Sequence, residues 1–185
     1  KLEIITGFSR SEEKRVAFEQ DTGIPSANTI EDLLANPEIV GVILTVPNEQ
    51  HLPVAEQVAK AGKHIYTEKP IANTLENGLQ IEALQKQYGV QVMVGHSARL
   101  LKGTRMIKAA IDSGELGRVS LIEANFSNER ALELTPETWR WYRDKAPGGP
   151  LSQLATHQFD ALHFLGGEID EVSSMAAKLS PVGAE

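Results

Sequence analysis

Four short polar clusters each follow an apolar run in this 185-residue chain, and each holds side chains able to bind or polarise a small ligand. Ser9 and Arg10, a hydroxyl and a guanidinium, follow LEIITGF (Leu2 to Phe8). Thr45, Pro47 and Asn48 lie at the end of VGVILTV (Val40 to Val46). Glu68, Lys69 and Pro70 follow the run Lys63 to Thr67, and Gly95, His96 and Ser97 close GVQVMVG (Gly89 to Gly95). Pro70 holds Lys69 extended and removes one backbone donor, and the Lys69–Pro70 bond is a candidate for the cis form. One such lysine would be a surface residue. Four polar clusters at equivalent places argue instead for a site.

The elements that position these clusters alternate between strand and helix. Ser9-x-x-Glu12 reads as a capping box opening a helix to about Thr22, broken by Gly23-Ile24-Pro25. Thr29 caps a short helix carrying Leu33 and Leu34 and ending at Asn36-Pro37. Val40 to Val46 has the pattern of a strand buried on both faces. Asn48 caps the next helix, which Gly62 ends. A strand over Lys63 to Thr67, a helix over Thr74 to Tyr88 and a strand over Gly89 to Gly95 complete the series. Repeated units of this kind predict a parallel sheet with helices on both sides, and such sheets bind ligands at the carboxyl ends of their strands. Lys69 is therefore expected over a crevice.

The pattern changes near Ala98, a plausible junction between a first domain over 1–97 and a second over 98–185. Leu100, Thr104, Ile107 and Ile111 mark one helix face. Arg118 to Arg130 reads as a longer strand, TPETWRWYRDKAPGGP as an irregular aromatic stretch, Leu151 to Leu165 as a helix, and Glu171 to Leu179 as a strand. Hydrophobic residues are 41% of the chain and charged residues 23%, as in ordinary globular proteins. The net charge of -7, without basic runs, speaks against a nucleic-acid partner. No apolar run is long enough to cross a bilayer and no signal peptide opens the chain, so neither a membrane partner nor export is expected. With no cysteine, disulfides, thiol catalysis and cysteine–zinc sites are excluded, which suits a cytoplasmic protein. His157, Asp160 and His163 do not form a convincing metal site, because the spacing puts His163 off the face shared by the other two.

Taken together and in order, TVPNEQH, YTEKP, VGHSAR, IDSGELG and GGPLSQLATHQFD resemble the glucose–fructose oxidoreductase / inositol dehydrogenase (Gfo/Idh/MocA-like) family. The resemblance runs over essentially the whole chain. It implies an α/β fold: a parallel Rossmann-type sheet, incomplete at its N-terminus, then part of an α/β domain with an open mixed sheet. It further implies an NAD(P)-dependent oxidoreductase acting on CH–OH groups of a sugar, cyclitol or related compound, assembled as a homo-oligomer through the C-terminal sheet. The family's opening G-x-G-x-x-G turn is absent from this sequence, so the chain is read as a fragment whose first strand, glycine turn and first helix lie upstream of Lys1. Leu2 to Phe8 then becomes the second strand, and most of the C-terminal sheet is expected beyond Glu185.

By this resemblance Lys69 and His157 are the catalytic pair. Ser9, Arg10, Thr45, Pro47, Asn48, His51, Glu68 and Lys69 bind the cofactor. Lys69, Arg99, Trp141, Arg143, Gln153 and His157 face the substrate. Many members carry an acidic residue for the adenosine ribose where this chain has Ser9 followed by Arg10. A hydroxyl and a guanidinium suit a 2′-phosphate, which favours NADP over NAD. Many members also carry an aspartate four residues before the histidine, where this chain has Gln153. An amide can hydrogen-bond a hydroxyl or the imidazole but cannot stabilise an imidazolium by charge, which keeps a non-catalytic binding or regulatory role open. A relative that uses tightly bound NAD for transient oxidation and glycosidic cleavage is the other alternative. Asp160 either orients His157 or is structural. The stretch Trp139 to Arg143 either covers the site or pins a long loop, and Arg99 either supports the domain junction or touches substrate. His64 and His163 read as structural.

Overall fold

The computed structural model describes residues 2–127 and 129–177. Helices α1 (Glu12–Thr22) and α2 (Ile30–Ala35) precede strand β1 (Gly41–Leu44), and α3 (His51–Lys60), β2 (His64–Thr67), α4 (Leu75–Tyr88) and β3 (Val92–Val94) follow. The three strands form a parallel sheet in the order β1-β2-β3. Helix α3 crosses from β1 to β2 and α4 from β2 to β3. Their inward residues Ala55, Val58, Ala59, Ile81 and Leu84 pack with Leu44, Ile65, Ala72 and Val90 as one core.

Local chemistry sets the helix limits. The Thr74 hydroxyl accepts from the Asn77 amide to open α4, and Gly89 in the left-handed region closes it. A reciprocal capping box joins Thr29 and Asp32 at the start of α2. The cap of α1 is Ser11, whose hydroxyl accepts from the Lys14 amide, and not Ser9; the Ser9 hydroxyl instead accepts from the Ser11 amide. The expected cap at Asn48 is also replaced. Asn48 opens a 3-10 turn, Asn48–Gln50, with no side-chain cap bond, and α3 begins only at His51.

Three further expectations are corrected. Residues 2–8 form no strand; they make one isolated parallel bridge, Gly7 to Ser26. An extended run becomes a strand only against a neighbour, and the three-stranded ladder of the described residues does not reach it. Among the described residues the sheet is covered on one face rather than two. Both crossovers put their helices on the same side, as right-handed connections between consecutive strands in one direction must. Ile43 and Met93 on the opposite face are therefore 58% and 61% exposed. Within the described part of 118–130, and within 171–177, no strand forms; residues 128, 178 and 179 lie outside the described residues. Leu121 and Val172 stay exposed there, without a paired neighbour.

The second part is helical where it meets the sheet. A 3-10 turn over Ser97–Leu100 leads into α5 (Lys102–Asp112). One π-helical turn over Leu151–Ala155 then runs into α6 (Thr156–Gly166), which packs against both α5 and the 97–100 turn. Gly148 enters that π turn with φ of 80°, and a Cβ there would lie 3.1 Å from the Ser152 Cβ. The Ser152 hydroxyl donates to the Pro147 carbonyl and fixes the turn. Among the described residues no helix is long and apolar enough to cross a membrane.

Candidate active site

Strand register puts three of the four clusters level. Leu44 pairs with Thr67 and Thr67 with Val94, so Thr45, Glu68 and Gly95 leave the sheet side by side at its carboxyl edge. The fourth cluster, Ser9 and Arg10, is not delivered by this sheet. Arg10 is exposed and makes no ion pair among the described residues, and Arg15 donates 2.7 Å to the Ser9 carbonyl. The Lys69–Pro70 bond is cis.

Lys69 reaches from the rim to the second part of the chain. Its ammonium donates 2.7 Å to the Gln153 carbonyl, a bond between residues 84 positions apart. Gln153 lies in the π turn, four residues before His157. The contact therefore sets Lys69 beside the start of the helix that carries the histidine. Burial lowers the Lys69 pKa from its ordinary value; the Glu68 carboxylate opposes this and the Arg140 guanidinium adds to it. Burial also lowers the His157 pKa, and the charges of Lys69 and His96 push it further down against weaker opposition from Glu68 and Asp160. A neutral imidazole and a cationic ammonium thus share one place near neutral pH.

Four buried side-chain atoms find no hydrogen-bond partner among the described residues: Asn48 Nδ2, His96 Nδ1, Gln153 Nε2 and His157 Nδ1. An unsatisfied buried polar group costs about 1–3 kcal/mol, so folded proteins hold few of them without a purpose. Here all four belong to the rim or to the helix start that packs on it. Such groups suit an oxygen-rich ligand that completes their bonds. Asn48, 4% exposed on the loop after β1, fits the polar edge of a nucleotide cofactor lying across the strand ends. Thr45 and Glu68 are exposed at the same level and Pro47 is half-buried.

The remaining predicted site residues separate. His51 is 1% exposed; its Nε2 lies 3.0 Å from the Val46 carbonyl oxygen, and its Nδ1 lies 3.1 Å from that of Ile71 and 3.2 Å from the Thr67 hydroxyl. Both ring nitrogens are engaged inside the protein, so His51 braces the rim and has no edge free for a cofactor. Arg99 is spent on Asp160, donating 2.8 Å from Nε and 2.6 Å from Nη2, and its guanidinium lies 5.2 Å from the centre of the Phe164 ring. It therefore secures the junction between the 97–100 turn and α6 rather than presenting a free cation. Trp141 is half-buried and Arg143 exposed. It is Arg140, stacked 4.4 Å from the centre of the Trp139 ring, whose charge is felt at Lys69. His64 accepts from the Gln91 amide and His163 lies 3.5 Å from Glu168, both away from this group.

Sequence spacing singles out neither His96 nor Arg140 as a neighbour of Lys69 and His157. For His96 a signal exists in its place immediately after a strand end; for Arg140 the only signal is an arginine among aromatic residues.

Residues 1–96 match the family model described as an oxidoreductase family with an NAD-binding Rossmann fold, and residues 104–185 match the GFO/IDH/MocA C-terminal domain. The chain belongs to the Gfo/Idh/MocA oxidoreductase family. An oxidoreductase of Synechocystis sp. without an assigned substrate is 36% identical over 162 residues, 86% of this chain and 42% of that protein. The 1,5-anhydro-D-fructose reductase of Ensifer adhaerens is 30% identical, over 88% of this chain and 49% of its own length. Among solved structures, a protein of Desulfitobacterium hafniense, provisionally described as an NADPH-dependent oxidoreductase, is 48% identical with a TM-score of 0.84, over 90% of this chain and 48% of that one. A levoglucosan dehydrogenase in complex with NADH and levoglucosan is 27% identical with a TM-score of 0.76, over 86% and 44%. This Gfo/Idh/MocA chain spans about half the length of the curated relatives it matches.

Proposed function

We propose that the complete protein is an NAD(P)-dependent oxidoreductase that moves hydride between a nicotinamide cofactor and a sugar, cyclitol or related hydroxy or keto compound. The observation that carries this reading is the bond from Lys69 to the Gln153 carbonyl, which brings the rim ammonium to the helix of His157 among four unsatisfied polar atoms. Asn48, Glu68 and the rim backbone hold the cofactor, and Arg10 with Ser9 favours the 2′-phosphate of NADP. The nicotinamide, when bound, supplies the acceptor for the hydride and its electron pair. Neutral His157 takes the hydroxyl proton of the substrate as its carbon is oxidised. The Lys69 ammonium hydrogen-bonds the same oxygen and stabilises the negative charge that develops on it. In reduction the roles reverse: His157 gives the proton and Lys69 polarises the carbonyl. Gln153 offers an amide donor to a neighbouring substrate oxygen.

The test uses the complete protein with a panel of hydroxy compounds that includes levoglucosan and 1,5-anhydro-D-fructose, the latter with reduced cofactor. Lys69→Ala and His157→Ala should each lower kcat/KM by roughly a hundredfold to ten-thousandfold, the range removed with a proton-transfer group or an oxyanion donor. Undiminished turnover in both variants sinks the assignment. Cofactor that stays bound through purification, with cleavage of a glycoside and no net reduction in solution, assigns the transient-oxidation chemistry instead.

A further inference from the structure

Asn48 and Lys69 reach the rim on two separate loops, and backbone pairing stops short of both. The last bond between them runs from the Glu68 amide to the Leu44 carbonyl, 3.0 Å. Beyond it, among the described residues, no backbone hydrogen bond joins residues 45–50 to residues 69–74. One side chain spans the gap. His51 stands at the start of α3 and is 1% exposed. Its Nε2 lies 3.0 Å from the carbonyl oxygen of Val46, two residues before Asn48. Its Nδ1 lies 3.1 Å from the carbonyl oxygen of Ile71, two residues after Lys69. The same Nδ1 lies 3.2 Å from the hydroxyl of Thr67, the fully buried last residue of β2. A rigid ring with a polar nitrogen on each side thus sets the spacing of the two loops.

We propose that His51 is a positioning residue of this site: it locks the loop of Asn48 to the loop of Lys69 and, through the Ile71 carbonyl and the Thr67 hydroxyl, sets where the Lys69 ammonium stands. Among the described residues that ammonium has one hydrogen-bond partner, the Gln153 carbonyl at 2.7 Å, in the other part of the chain. The bond holds only the tip of a flexible four-carbon stem, which follows any shift of its own backbone. The backbone end is held from both sides of Lys69, at Thr67 two residues before it and at Ile71 two residues after, by one nitrogen of one ring. Misplacing a reacting group by about 1 Å costs roughly a hundredfold in rate, so this anchor acts on turnover without touching substrate or cofactor. Its effect on turnover rests on the dehydrogenase reading; its hold on the Lys69 loop does not. The two nitrogens are separable by substitution. An asparagine puts a polar atom near the place of Nδ1, and a glutamine puts one near the place of Nε2.

The test is amide hydrogen exchange in the complete protein, read by mass spectrometry on peptides covering 66–74 and, as the reference in α4, 79–86, with kcat and cofactor KM beside it. His51→Gln keeps the reach to Val46 and loses the contacts of Nδ1. It should speed exchange over 66–74 about tenfold or more and leave 79–86 within about twofold. It should also lower kcat about tenfold or more, with a smaller change in cofactor KM. His51→Asn keeps the contacts of Nδ1 and should recover most of the lost protection and most of kcat. Thr67→Val keeps the side-chain shape and removes only the hydroxyl beside Nδ1. It stands in for a His51 variant that does not fold, and should speed exchange over 66–74 about threefold. A merely structural histidine would loosen both peptides, and equally in the glutamine and asparagine variants; that result overturns the inference. So does unchanged exchange over 66–74 in the folded variants, or faster exchange there with kcat intact. Absent turnover in the wild-type protein counts against the dehydrogenase reading alone, because the exchange is still measured.

Discussion

At the scale of residues, the candidate site holds two groups, Lys69 and His157, whose proton affinities are both pulled down, with burial the largest cause for each. The signs have separate consequences. A histidine held below its ordinary value stays neutral, and so able to accept a proton, further into acid. The acid limb of kcat/KM for alcohol oxidation is therefore expected below the usual histidine range. A lysine held below its ordinary value loses its ammonium earlier on the alkaline side, so the basic limb is expected below the usual lysine range. Lys69→Arg, whose charge persists at all accessible pH, should slow turnover but carry that limb to higher pH. A profile whose limbs sit at unperturbed histidine and lysine values counts against both assignments. Cofactor choice is argued at the same scale. Arg10→Ala should raise KM for NADPH about tenfold, the loss of one charge-assisted bond to phosphate, and leave KM for NADH within about twofold. Equal changes for the two cofactors would remove the basis for an NADP preference. Lys69, His157, Gln153 and Asn48 are legible in sequence because they fall in ordered motifs. The engagement of His51 and Arg99 is not, since each is decided by partners 16 to 61 positions away: Ile71 and Thr67 for His51, Asp160 for Arg99.

At the scale of elements, helices are the more readable class. A helix makes its hydrogen bonds within its own segment and announces its ends through side chains, as Thr74, Thr29 and Gly89 do. Thr74→Ala should cost about 1 kcal/mol in chemical denaturation and Ile81→Ala, at a side chain with no exposure, about 2–5 kcal/mol. Ile81 lies on α4 under the sheet, so its truncation should reduce stability without altering the ratio of NADPH to NADH usage. Strands are less readable. β1, β2 and β3 form where the apolar runs predict them because each has a neighbour. Residues 2–8 and the described part of 118–130 have comparable patterns and no ladder. The π turn at Leu151–Ala155 is likewise invisible to periodicity. It places Gln153, whose carbonyl receives Lys69, in a wider turn than the α-helical register of the sequence implies.

At the scale of the whole molecule, the site exists because two parts of the chain meet. The Arg99–Asp160 pair fastens the 97–100 turn to α6, and Asp160 has only 7% of its side chain exposed. Arg99→Ala therefore leaves a nearly buried carboxylate without its main partner, and should destabilise the protein by about 2–4 kcal/mol while lowering kcat through the displaced His157. In a double-mutant cycle with Asp160→Asn the coupling should be about 1–3 kcal/mol. Additive effects would mean that the two parts are held by other contacts.

The sequence by itself determined the parallel strand–helix series, the caps at Thr29, Thr74 and Gly89 and the family motifs, because those depend on neighbours a few positions away or on ordered short motifs. Only the tertiary structure decided that Lys69 touches the Gln153 carbonyl, that His51 faces inward and that Arg99 is consumed by Asp160. Each of these is a competition among several polar groups for few partners in a small buried volume, and it is settled by packing between segments that the linear spacing does not relate.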